Sequence, residues 1–543
     1  MKGQNEFQVF GIPGGGKTTY LSKKIHEASQ KVDPDRILVS SFTRAASKEL
    51  TGRDLPIPRE NIGTLHSICY HMQGRPTIAE SKIKDFNEMF PRYELSGSQV
   101  DIDESLSDQN HKTKCDEIFM NVQIYRAKMK PYEKWPTDHK EFWNKWQKFK
   151  FKNDFMDFTD LIERTYNEGL VPQGRDVGIF DEAQDFTPLQ LSLIRHWSQE
   201  SMSYMMICGD DDQCMYNFAG ADPYVFLGDS VPDENKTILD YSHRCPEKVM
   251  ERAKKWIEKI GGRKLKNPKP RQVNNKTVEG EVRSIDYTFK EGDRLSSYIE
   301  GLLDLYKNQS VMVLGTCSYM LRELIGSLKE RGIPFANKYR RKQRDWNPLH
   351  VSKGVSTAQR FLAYVDPKGP DLDGYKIWNH WQLGAWLDRC KAEGILKRGG
   401  KRIIQDLSKR DYCTGQEIID AMYSAFQEQA IDEAINLDPL WLYKNLLPRY
   451  KNSFEYPLKV YNKFGTPGIE EEPRLIVGTI HSVKGGEADN VILFPDISML
   501  AQKHANESQD VREAIIRQFY VGMTRARERL FICEPQTSYH VVI

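Results

Sequence analysis

Residues 11–18 of the chain read Gly-Ile-Pro-Gly-Gly-Gly-Lys-Thr, which fits the spacing Gly-x-x-x-x-Gly-Lys-Thr. Glycines allow successive backbone N–H groups to turn inward around phosphate oxygens, and the N-terminus of a following helix adds a favourable dipole. In such a loop Lys17 neutralises the outer phosphates and the Thr18 hydroxyl ligates Mg²⁺. The pattern predicts a nucleotide phosphate site formed by Gly11, Pro13, Gly14, Gly15, Gly16, Lys17, Thr18 and Thr19.

The elements around this loop have the order that the chemistry needs. Residues 7–10 before it are apolar and strand-like, and after it Leu21, Ile25 and Ala28 recur on one face of a predicted helix. A glycine-rich turn that matches the spacing by chance does not require this context. The strand and the helix therefore favour a phosphate loop.

A pair of adjacent carboxylates, Asp181 and Glu182, follows the apolar run at residues 177–180. A strand ending here delivers both side chains to the edge of a sheet. Because in-line attack on a phosphate needs a metal and an activated water, we predict that Asp181 binds Mg²⁺ and that Glu182 is the general base. A solvated acidic turn is the alternative for such a pair in isolation, and the phosphate loop disfavours it.

The composition is that of a folded globular protein, with 39% hydrophobic and 28% charged residues in a chain of 543. At about 150 residues per domain, the chain holds roughly three to four domain-sized units. Its longest apolar runs, such as residues 204–208, fall far short of the ~20 residues of a membrane span, and the start MKGQNEFQ has no signal-peptide pattern. We therefore expect a cytoplasmic protein without a membrane partner.

Cysteine spacing and net charge limit the metal sites and the nucleic-acid contacts that the chain can form. The nine cysteines contain no Cys-x-x-Cys pair, which predicts reduced thiols and neither a zinc ribbon nor an iron–sulfur cluster. The formal charge is only +2, so a nucleic-acid partner requires local basic patches. Three stretches are candidates, residues 259–271, 338–344 and 397–410, although a solvated face or linker is the simpler interpretation of each one alone.

Changes in sequence texture suggest an α/β fold of two parallel-sheet domains, each interrupted by a largely helical insertion. The first insertion is polar and aromatic, and the second contains five tryptophans and several Pro and Gly breaks. The predicted ranges are 1–74 and 151–232 for the N-terminal domain, 75–150 for its insertion, 233–345 and 470–543 for the C-terminal domain, and 346–469 for the second insertion.

Several longer strings follow one another in a diagnostic order. Residues 181–190 (DEAQDFTPLQ) and 209–221 (GDDDQCMYNFAGA) resemble motifs II and III of the UvrD/Rep/PcrA family of superfamily 1 helicases. Further matches in family order are ILVSSFTRAASKEL at 37–50, GTLHS at 63–67, DFTDL at 157–161, SHR at 242–244, GTIHSVKGGE at 478–487 and YVGMTRAR at 520–527. The matches run from residue 11 to residue 527 and leave the two insertions unmatched.

The resemblance implies two RecA-like P-loop domains with ATP and Mg²⁺ in the cleft between them. It implies that Gln213 senses the γ-phosphate and that Glu487 contacts the ribose. It also implies that Arg244 and Arg525 act as arginine fingers, which stabilise transition-state charge only when the cleft is shut. His243 takes the place of a family tyrosine that stacks on adenine.

On the DNA side, the resemblance places three aromatic residues, Phe42, Tyr216 and Phe218, along a single strand. Stacking tolerates any base, which suits a motor that steps over any sequence. Core packing is the alternative for each ring. The polar positions that match strand contacts, or links between the strand and the ATP site, are Thr43, Thr64, His66, Thr479, His481 and Lys484.

Three features depart from the family pattern. Only ten residues precede the phosphate loop, so Gln4 or Gln8 would have to replace the usual upstream adenine-recognition glutamine. His243 stands at the position of the stacking tyrosine, and Ala219 stands where an arginine is common. We therefore expect relaxed nucleotide-base selectivity, and a strong preference for ATP over GTP in a hydrolysis assay would contradict this.

These observations predict an ATP-dependent DNA helicase that moves 3′ to 5′ on single-stranded DNA and opens duplexes at single-strand/duplex junctions. The polarity rests on the resemblance of motifs III and V to the UvrD-like branch.

One alternative is a DNA-stimulated translocase that strips proteins or serves a separate nuclease without unwinding, and another is a phosphate-loop switch indifferent to DNA. The chain ends sixteen residues after Arg527, so we expect no nuclease domain in cis. A nuclease or a replication or repair factor is an expected partner, and the second insertion is a candidate for duplex or partner contact.

Overall fold

The computed structural model of the protein describes residues 5–42, 52, 54–97, 113–228, 231–339, 346–350 and 354–543. Two positions named above, Gln4 and Thr43, lie outside the described residues, as do residues 340–344 of the second basic stretch.

The described strands build two parallel sheets and three short two-stranded pairs. Their bounds are β1 Glu6–Gly11, β2 Ile37–Ser41, β3 Ile62–Gly63, β4 Thr77–Ile78, β5 Phe155–Met156, β6 Val177–Asp181, β7 Tyr204–Gly209, β8 Lys236–Leu239, β9 Gln272–Val273, β10 Lys276–Thr277, β11 Glu281–Ile285, β12 Val311–Gly315, β13 Asp371–Leu372, β14 Tyr375–Lys376, β15 Leu475–Thr479, β16 Ala488–Leu493 and β17 Ala526–Cys533.

The described helices connect and cover these strands. Their bounds are α1 Lys17–Ser29, α2 Leu65–Met72, α3 Ile83–Met89, α4 Lys114–Ala127, α5 Thr137–Asn153, α6 Phe158–Asn167, α7 Pro188–Glu200, α8 Pro223–Leu227, α9 Glu247–Ile257, α10 Gly292–Leu305, α11 Arg322–Glu330, α12 Thr357–Val365, α13 His380–Leu387, α14 Gly400–Ser408, α15 Gly415–Ala425, α16 Glu428–Ala434, α17 Pro439–Asn445, α18 Pro448–Phe464, α19 Pro467–Glu470, α20 Met499–Glu507 and α21 Gln509–Met523.

The N-terminal sheet has the order β3-β2-β6-β7-β1-β8, and its strands run parallel. Strands β1, β2, β6 and β7 are almost entirely buried, as expected for a parallel sheet covered on both faces. The carboxyl ends of β1, β6 and β7 deliver the phosphate loop, Asp181 and the residues after Gly209 to one edge. Strand β8 lies beyond residue 232 and pairs with β1 in register Val9 to Thr237.

The second parallel sheet has the order β11-β17-β16-β12-β15. Strand β17 pairs in parallel with β11 and with β16. The predicted α/β class with two parallel sheets, as in two RecA-like domains, is confirmed.

The chain divides into two compact units. Unit 1 comprises Met1–Asp286, Leu314–Met320 and Thr479–Ile543, and unit 2 comprises Tyr287–Val313 and Leu321–Gly478. Every described candidate site residue named above falls in unit 1. Within the part of the chain that the structure describes, no helix has both the length and the apolar character needed to cross a bilayer.

The first insertion, in unit 1, contains α3, α4 and α5 around an aromatic core with Phe86, Trp146 and Phe149 fully buried. Asp157, which caps α6, is also fully buried and accepts hydrogen bonds from Arg126, Lys150 and the Trp146 indole. This buried charge is tolerated because two cations pair with it. The helices of the insertion are thereby tied to the DFTDL segment.

The second insertion, in unit 2, is mostly helical from α12 to α19. Its tryptophans pack mainly inward: Trp378 and Trp386 are fully buried and lie 5.0 Å apart between ring centroids, and Tyr364 stacks on Trp378. Trp381, in contrast, is 45% exposed. Most of this aromatic content therefore forms a core.

Candidate functional site

The phosphate loop is held open by its glycines. Gly14 and Gly16 have φ angles of 68° and 74°, which L side chains rarely adopt. A Cβ on Gly15 would lie 2.9 Å from the Ile12 carbonyl oxygen. Helix α1 starts at Lys17 with no side-chain cap and no acidic residue in its first turn. Its first N–H groups are therefore left for an anion, so the loop fits a nucleotide phosphate.

Lys17 folds back along the loop that precedes it. Its Nζ atom donates a hydrogen bond of 3.0 Å to the Gly11 carbonyl. A Cβ on Gly11 would lie 2.3 Å from Lys17 Cγ, so glycine is required at position 11 for the lysine to pass. This contact aims the ammonium across the mouth of the loop, where the outer phosphates of a nucleotide would lie.

The acidic pair lies at the end of β6, as predicted. Glu182 has a φ of 55°, an uncommon left-handed conformation for a residue with a side chain. The Asp181 carboxylate accepts a 2.9 Å hydrogen bond from the Glu182 backbone N–H, and Gln184 donates a 2.6 Å hydrogen bond to Glu182 Oε2. These contacts fix two carboxylates in different orientations. Such an arrangement can hold a metal with Asp181 and position water with Glu182.

Lys484 sets the electrostatics of this edge. Its Nζ atom lies 3.4 Å from Glu182 Oε2 and contacts the Asp185 carboxylate still more closely. Burial raises the pKa of Glu182, but Lys484 and Lys17 outweigh burial and lower that pKa to about 2. Burial raises the pKa of Asp185 to about 6, against the effect of Lys484. Glu182 is therefore ionised at neutral pH and able to accept a proton.

Gln213 and Arg525 meet although they lie far apart in sequence. Arg525 donates a hydrogen bond of 3.0 Å to Gln213 Oε1, and Gln213 Nε2 donates one of 2.6 Å to Asp210 Oδ2. Arg525 is only 1% exposed and also donates to the Gly486 carbonyl. The structure thus brings the predicted γ-phosphate sensor and one predicted arginine finger into direct contact.

The segment Ser242–Arg244, which follows β8, is attached to the phosphate loop. Ser242 Oγ donates to the Pro13 carbonyl and the His243 N–H donates to the Gly14 carbonyl, both at 2.8 Å. Arg244 Nε donates to Glu487 Oε2 at 2.7 Å. Burial raises the pKa of Glu487, but Arg244 outweighs this effect and lowers it. The second predicted arginine finger and the predicted ribose contact are therefore an ion pair here.

The two described residues considered for recognition of the nucleotide base differ in solvent exposure. His243 is exposed, and the Tyr241 ring meets it edge-on at 5.0 Å. Gln8 is fully buried in β1, where its amide donates to Glu6 Oε1 and to the Phe226 carbonyl. Gln8 therefore does not supply the missing adenine contact, whereas His243 is open to a base.

The predicted strand-binding aromatics form one connected group, defined here as the aromatic group. Tyr216 lies 5.1 Å from Phe42, 6.0 Å from Phe218 and 6.1 Å from His481, between ring centroids. Phe218 meets His481 edge-on at 5.7 Å. Tyr216 is 5% exposed, whereas Phe42 and Phe218 are half-buried. Phe218 and Phe42 thus retain ring surface for stacking, and Tyr216 supports them.

A cavity of 280 Å³ opens beside the aromatic group. This is far larger than the space of one water molecule, about 30 Å³. Most of its lining is apolar, as is usual for ligand pockets. The residues that line it include Phe218, His481, Thr316, Ile497, Ile515 and Gln518.

The remaining predicted strand contacts have structural roles as well. Thr64 caps α2 by accepting a hydrogen bond from the Ser67 N–H, and the His66 ring meets Phe158 edge-on at 6.1 Å. Thr479 is fully buried, and its carbonyl accepts a hydrogen bond from Ser482 Oγ. Of these, His66 is the side chain beside an exposed aromatic surface, because Phe158 is 40% exposed.

Sequence reasoning missed several residues of the site. Gln184 donates a hydrogen bond to Glu182, and Asp185 pairs with Lys484. Gln518 contacts the His481 ring at 3.2 Å, and Lys266 lies among the aspartates at 210–212. Gln184 and Asp185 belong to the DEAQD string, so the motif itself was a signal that could have identified them. Lys266 belongs to the first basic stretch, whose charge alone did not distinguish it.

Burial of His481 predicts a pH-dependent contribution to stability. Burial lowers the pKa of His481 to about 4 from an ordinary value of 6.5, so between these values the unfolded chain binds a proton that the folded chain does not. The contribution of neutral His481 to the free energy of unfolding is complete above pH 6.5. It is lost as the pH falls towards 4, and the loss amounts to at most about 3 kcal/mol.

Urea denaturation across this range measures the effect as a difference between the wild type and His481→Asn. We expect a shallower rise of the unfolding free energy with pH in the variant. Equal slopes would contradict a neutral buried histidine. The difference between the two proteins is decisive because Asp185 and Asp212, whose pKa values burial raises to about 6, titrate in both.

Comparison with known proteins gives a consistent result. The UvrD/REP helicase N-terminal domain matches residues 2–231, and the UvrD-like helicase C-terminal domain matches residues 466–537. A probable DNA helicase II homolog of Mycoplasma capricolum subsp. capricolum is 23% identical over 610 aligned residues, covering 97% of this chain and 82% of that protein. The ATP-dependent DNA helicase PcrA of Staphylococcus aureus is 22% identical over 601 aligned residues, which cover 96% of this chain and 80% of that protein. The chain belongs to the UvrD/REP helicase family.

Proposed function

We propose that the protein is an ATP- and Mg²⁺-dependent DNA helicase that moves 3′ to 5′ on single-stranded DNA and separates duplexes at junctions. The observation that carries this proposal is the hydrogen bond between Gln213 and Arg525, two residues separated by 312 positions, in the same unit as the phosphate loop. A phosphate sensor and a guanidinium from a distant segment that meet near one nucleotide site are what a hydrolysis cycle coupled to movement requires.

The chain's own residues supply a complete hydrolysis site. Glu182, ionised beside Lys484, accepts the proton from the water whose oxygen attacks the γ-phosphorus, and the bond to the leaving ADP oxygen breaks. Lys17 and Arg525 offset the negative charge of the transferred group. A Mg²⁺ ion held by Thr18 and Asp181 would supply further charge neutralisation. The residues present therefore fit both ATP and the metal.

The strand side is connected to this site through Lys484. Its Nζ atom lies 5.3 Å from the centroid of the Tyr216 ring while contacting Asp185 and lying near Glu182. If a bound base displaces the aromatic group, the position of the Lys484 ammonium changes. Because this ammonium lowers the pKa of Glu182, the proposed general base, that pKa changes as well. This contact supports stimulation of hydrolysis by DNA and disfavours a nucleotide switch indifferent to DNA.

If bases stack on Phe218, removing its ring is expected to weaken the affinity of the protein for single-stranded DNA. We expect Phe218→Ala to weaken binding of a single-stranded oligonucleotide by about 1–3 kcal/mol, roughly 5- to 150-fold in Kd. ATP hydrolysis without DNA stays at the wild-type rate because Phe218 does not touch the phosphate loop. Fluorescence anisotropy with labelled DNA measures the affinity. Phe464→Ala, which removes a 43% exposed ring in unit 2, is the matched control. Equal affinity of Phe218→Ala and wild type would remove Phe218 from the strand path.

The test of the whole proposal is ATP-driven unwinding of two matched duplexes, one with a 3′ single-stranded tail and one with a 5′ tail, with Glu182→Gln as the inactive control. Unwinding of the 3′-tailed duplex alone, lost in the variant, supports the motor and its polarity. Opening of the 5′-tailed duplex alone would overturn the polarity. If neither duplex opens while DNA still stimulates hydrolysis, the protein is a translocase that strips proteins or serves a separate nuclease.

The proposal also includes a cytoplasmic location and a protein partner such as a nuclease or a replication or repair factor. The location repeats the expectation from the sequence, and the partner follows from the expected activity and not from a described contact. Co-purification from cells with the tagged full chain, with and without nuclease digestion of DNA, tests whether such a partner binds the protein directly.

A further inference from the structure

Motif III contains three consecutive aspartates that surround one ammonium group. The side chain of Lys266 is 3% exposed, and those of Asp210, Asp211 and Asp212 are equally well buried. The Lys266 Nζ atom lies 2.5 Å from Asp210 Oδ1, 2.6 Å from Asp211 Oδ1 and 2.9 Å from Asp212 Oδ2. We call Lys266 and these three aspartates the aspartate clamp.

The charges of the aspartate clamp explain why Lys266 stays protonated. Burial lowers the pKa of Lys266, but the three carboxylates outweigh burial and raise it. Arg263 adds a second cation, at 3.4 Å from Asp212 Oδ2. The three carboxylates approach closely enough to hold a metal ion, but the lysine ammonium already lies among them. Removing Lys266 would leave three buried carboxylates close together with Arg263 as their remaining paired cation.

The aspartate clamp is connected directly to the phosphate sensor. Asp210 uses one carboxylate oxygen for Lys266 and the other to accept the hydrogen bond from Gln213 Nε2. Because a carboxylate only accepts and a guanidinium only donates, Asp210 and Arg525 together fix the orientation of the Gln213 amide. The amide must direct Nε2 to Asp210 and Oε1 to Arg525. A shift of Asp210 would release this orientation.

We propose that Lys266 is a positioning residue for ATP hydrolysis, which acts through Asp210 to hold the Gln213 amide in the orientation that engages Arg525. The inference rests on the proposed function, because it assigns Gln213 and Arg525 to the hydrolysis step. It also gives a role to one lysine of the basic stretch 259–271. Arg271 and Lys269 of the same stretch pair with Glu528 and Asp240.

The test is a double-mutant cycle of Lys266→Met and Gln213→Ala in the full chain, read as kcat and KM for ATP with saturating single-stranded DNA. Lys266→Met is expected to lower kcat by about 10- to 100-fold, as removal of a supporting partner typically does, while KM stays near its wild-type value. In the Gln213→Ala background the same change has little further effect, because the group that it positions is absent.

The matched control is Lys269→Met, which removes a lysine of the same stretch whose side chain is 58% exposed and pairs with Asp240. Wild-type kcat is expected for this variant. If Lys266→Met purifies unfolded, the cycle is run with Lys266→Arg, which keeps the charge but not the compact ammonium. Thermal unfolding of each variant is measured in parallel.

The outcomes separate a positioning role from a structural one. Loss of the Lys266 effect in the Gln213→Ala background supports the proposal. Effects that multiply in the double variant, or a fall in kcat that follows the loss of folded protein, overturn it. A wild-type protein without DNA-stimulated hydrolysis would instead contradict the proposed function, before any variant is compared.

Discussion

Glu182→Gln is expected to lower the kcat of DNA-stimulated ATP hydrolysis by about 10²- to 10⁴-fold, the usual contribution of a positioned general base. The amide has nearly the same shape but cannot accept the proton from water. Since Lys484 and Lys17 outweigh burial and lower the pKa of Glu182 to about 2, the wild-type residue is ionised over the whole neutral range. The fall in kcat on loss of this carboxylate is therefore expected at every pH from 6 to 9.

A steady-state phosphate-release assay measures the effect, together with binding of a fluorescent ATP analogue. Nucleotide binding should persist, because Lys17 and the loop N–H groups are unchanged. Glu168→Gln, which changes a carboxylate that pairs with Arg164 on an exposed face, is the matched control. A Glu182→Gln variant that hydrolyses ATP at a rate close to wild type would contradict the assignment of Glu182 as the general base.

Arg525→Ala is expected to have a still larger effect on the hydrolysis rate, about 10³- to 10⁵-fold in kcat, the range seen when an arginine finger is removed. The guanidinium now donates to Gln213 Oε1, to Gly486 O and to Val521 O. At the Gln213 side chain its planar fork supplies the positive charge, whereas the Lys484 ammonium lies 3.5 Å from the Gln213 backbone carbonyl. Loss of hydrolysis with retained binding of the analogue is therefore the expected result.

Arg525 is deeply buried, so its removal also leaves carbonyl acceptors unpaired and lowers stability. Arg525→Lys separates the two effects, because it keeps a cation but loses the planar fork. Arg529→Ala, on the same strand β17 and bonded to Asn490, is the matched control. Wild-type hydrolysis in folded Arg525→Lys and Arg525→Ala would show that Arg525 has only a structural role.

The sequence by itself determined the phosphate loop and the acidic pair. Both depend on local order: a strand, a run of glycines and a helix place N–H groups around one point, and the end of a strand delivers two adjacent carboxylates. Lys17, Thr18, Asp181 and Glu182 therefore lie at the predicted ends of their elements. The α/β class followed from the same alternation of strands and helices.

Tertiary structure decided every contact between distant segments. Arg244 meets Glu487 across 243 positions, and Lys484 reaches Asp185 across 299. No spacing rule predicts such pairs, because they depend on the path of the chain between them. The family resemblance named Arg244, Glu487 and Lys484 but did not state that the first two pair or that the third lies beside Glu182.

The interpretation of aromatic and basic residues also needed the fold. The ring of Tyr216 is nearly all buried while that of Phe218 keeps exposed surface, although the two lie two positions apart in one motif. Lys266 looked like any other lysine in a basic stretch, yet it is buried among three aspartates. Burial and pairing decide what an aromatic ring or a charge does, and both are properties of the folded chain and not of its composition.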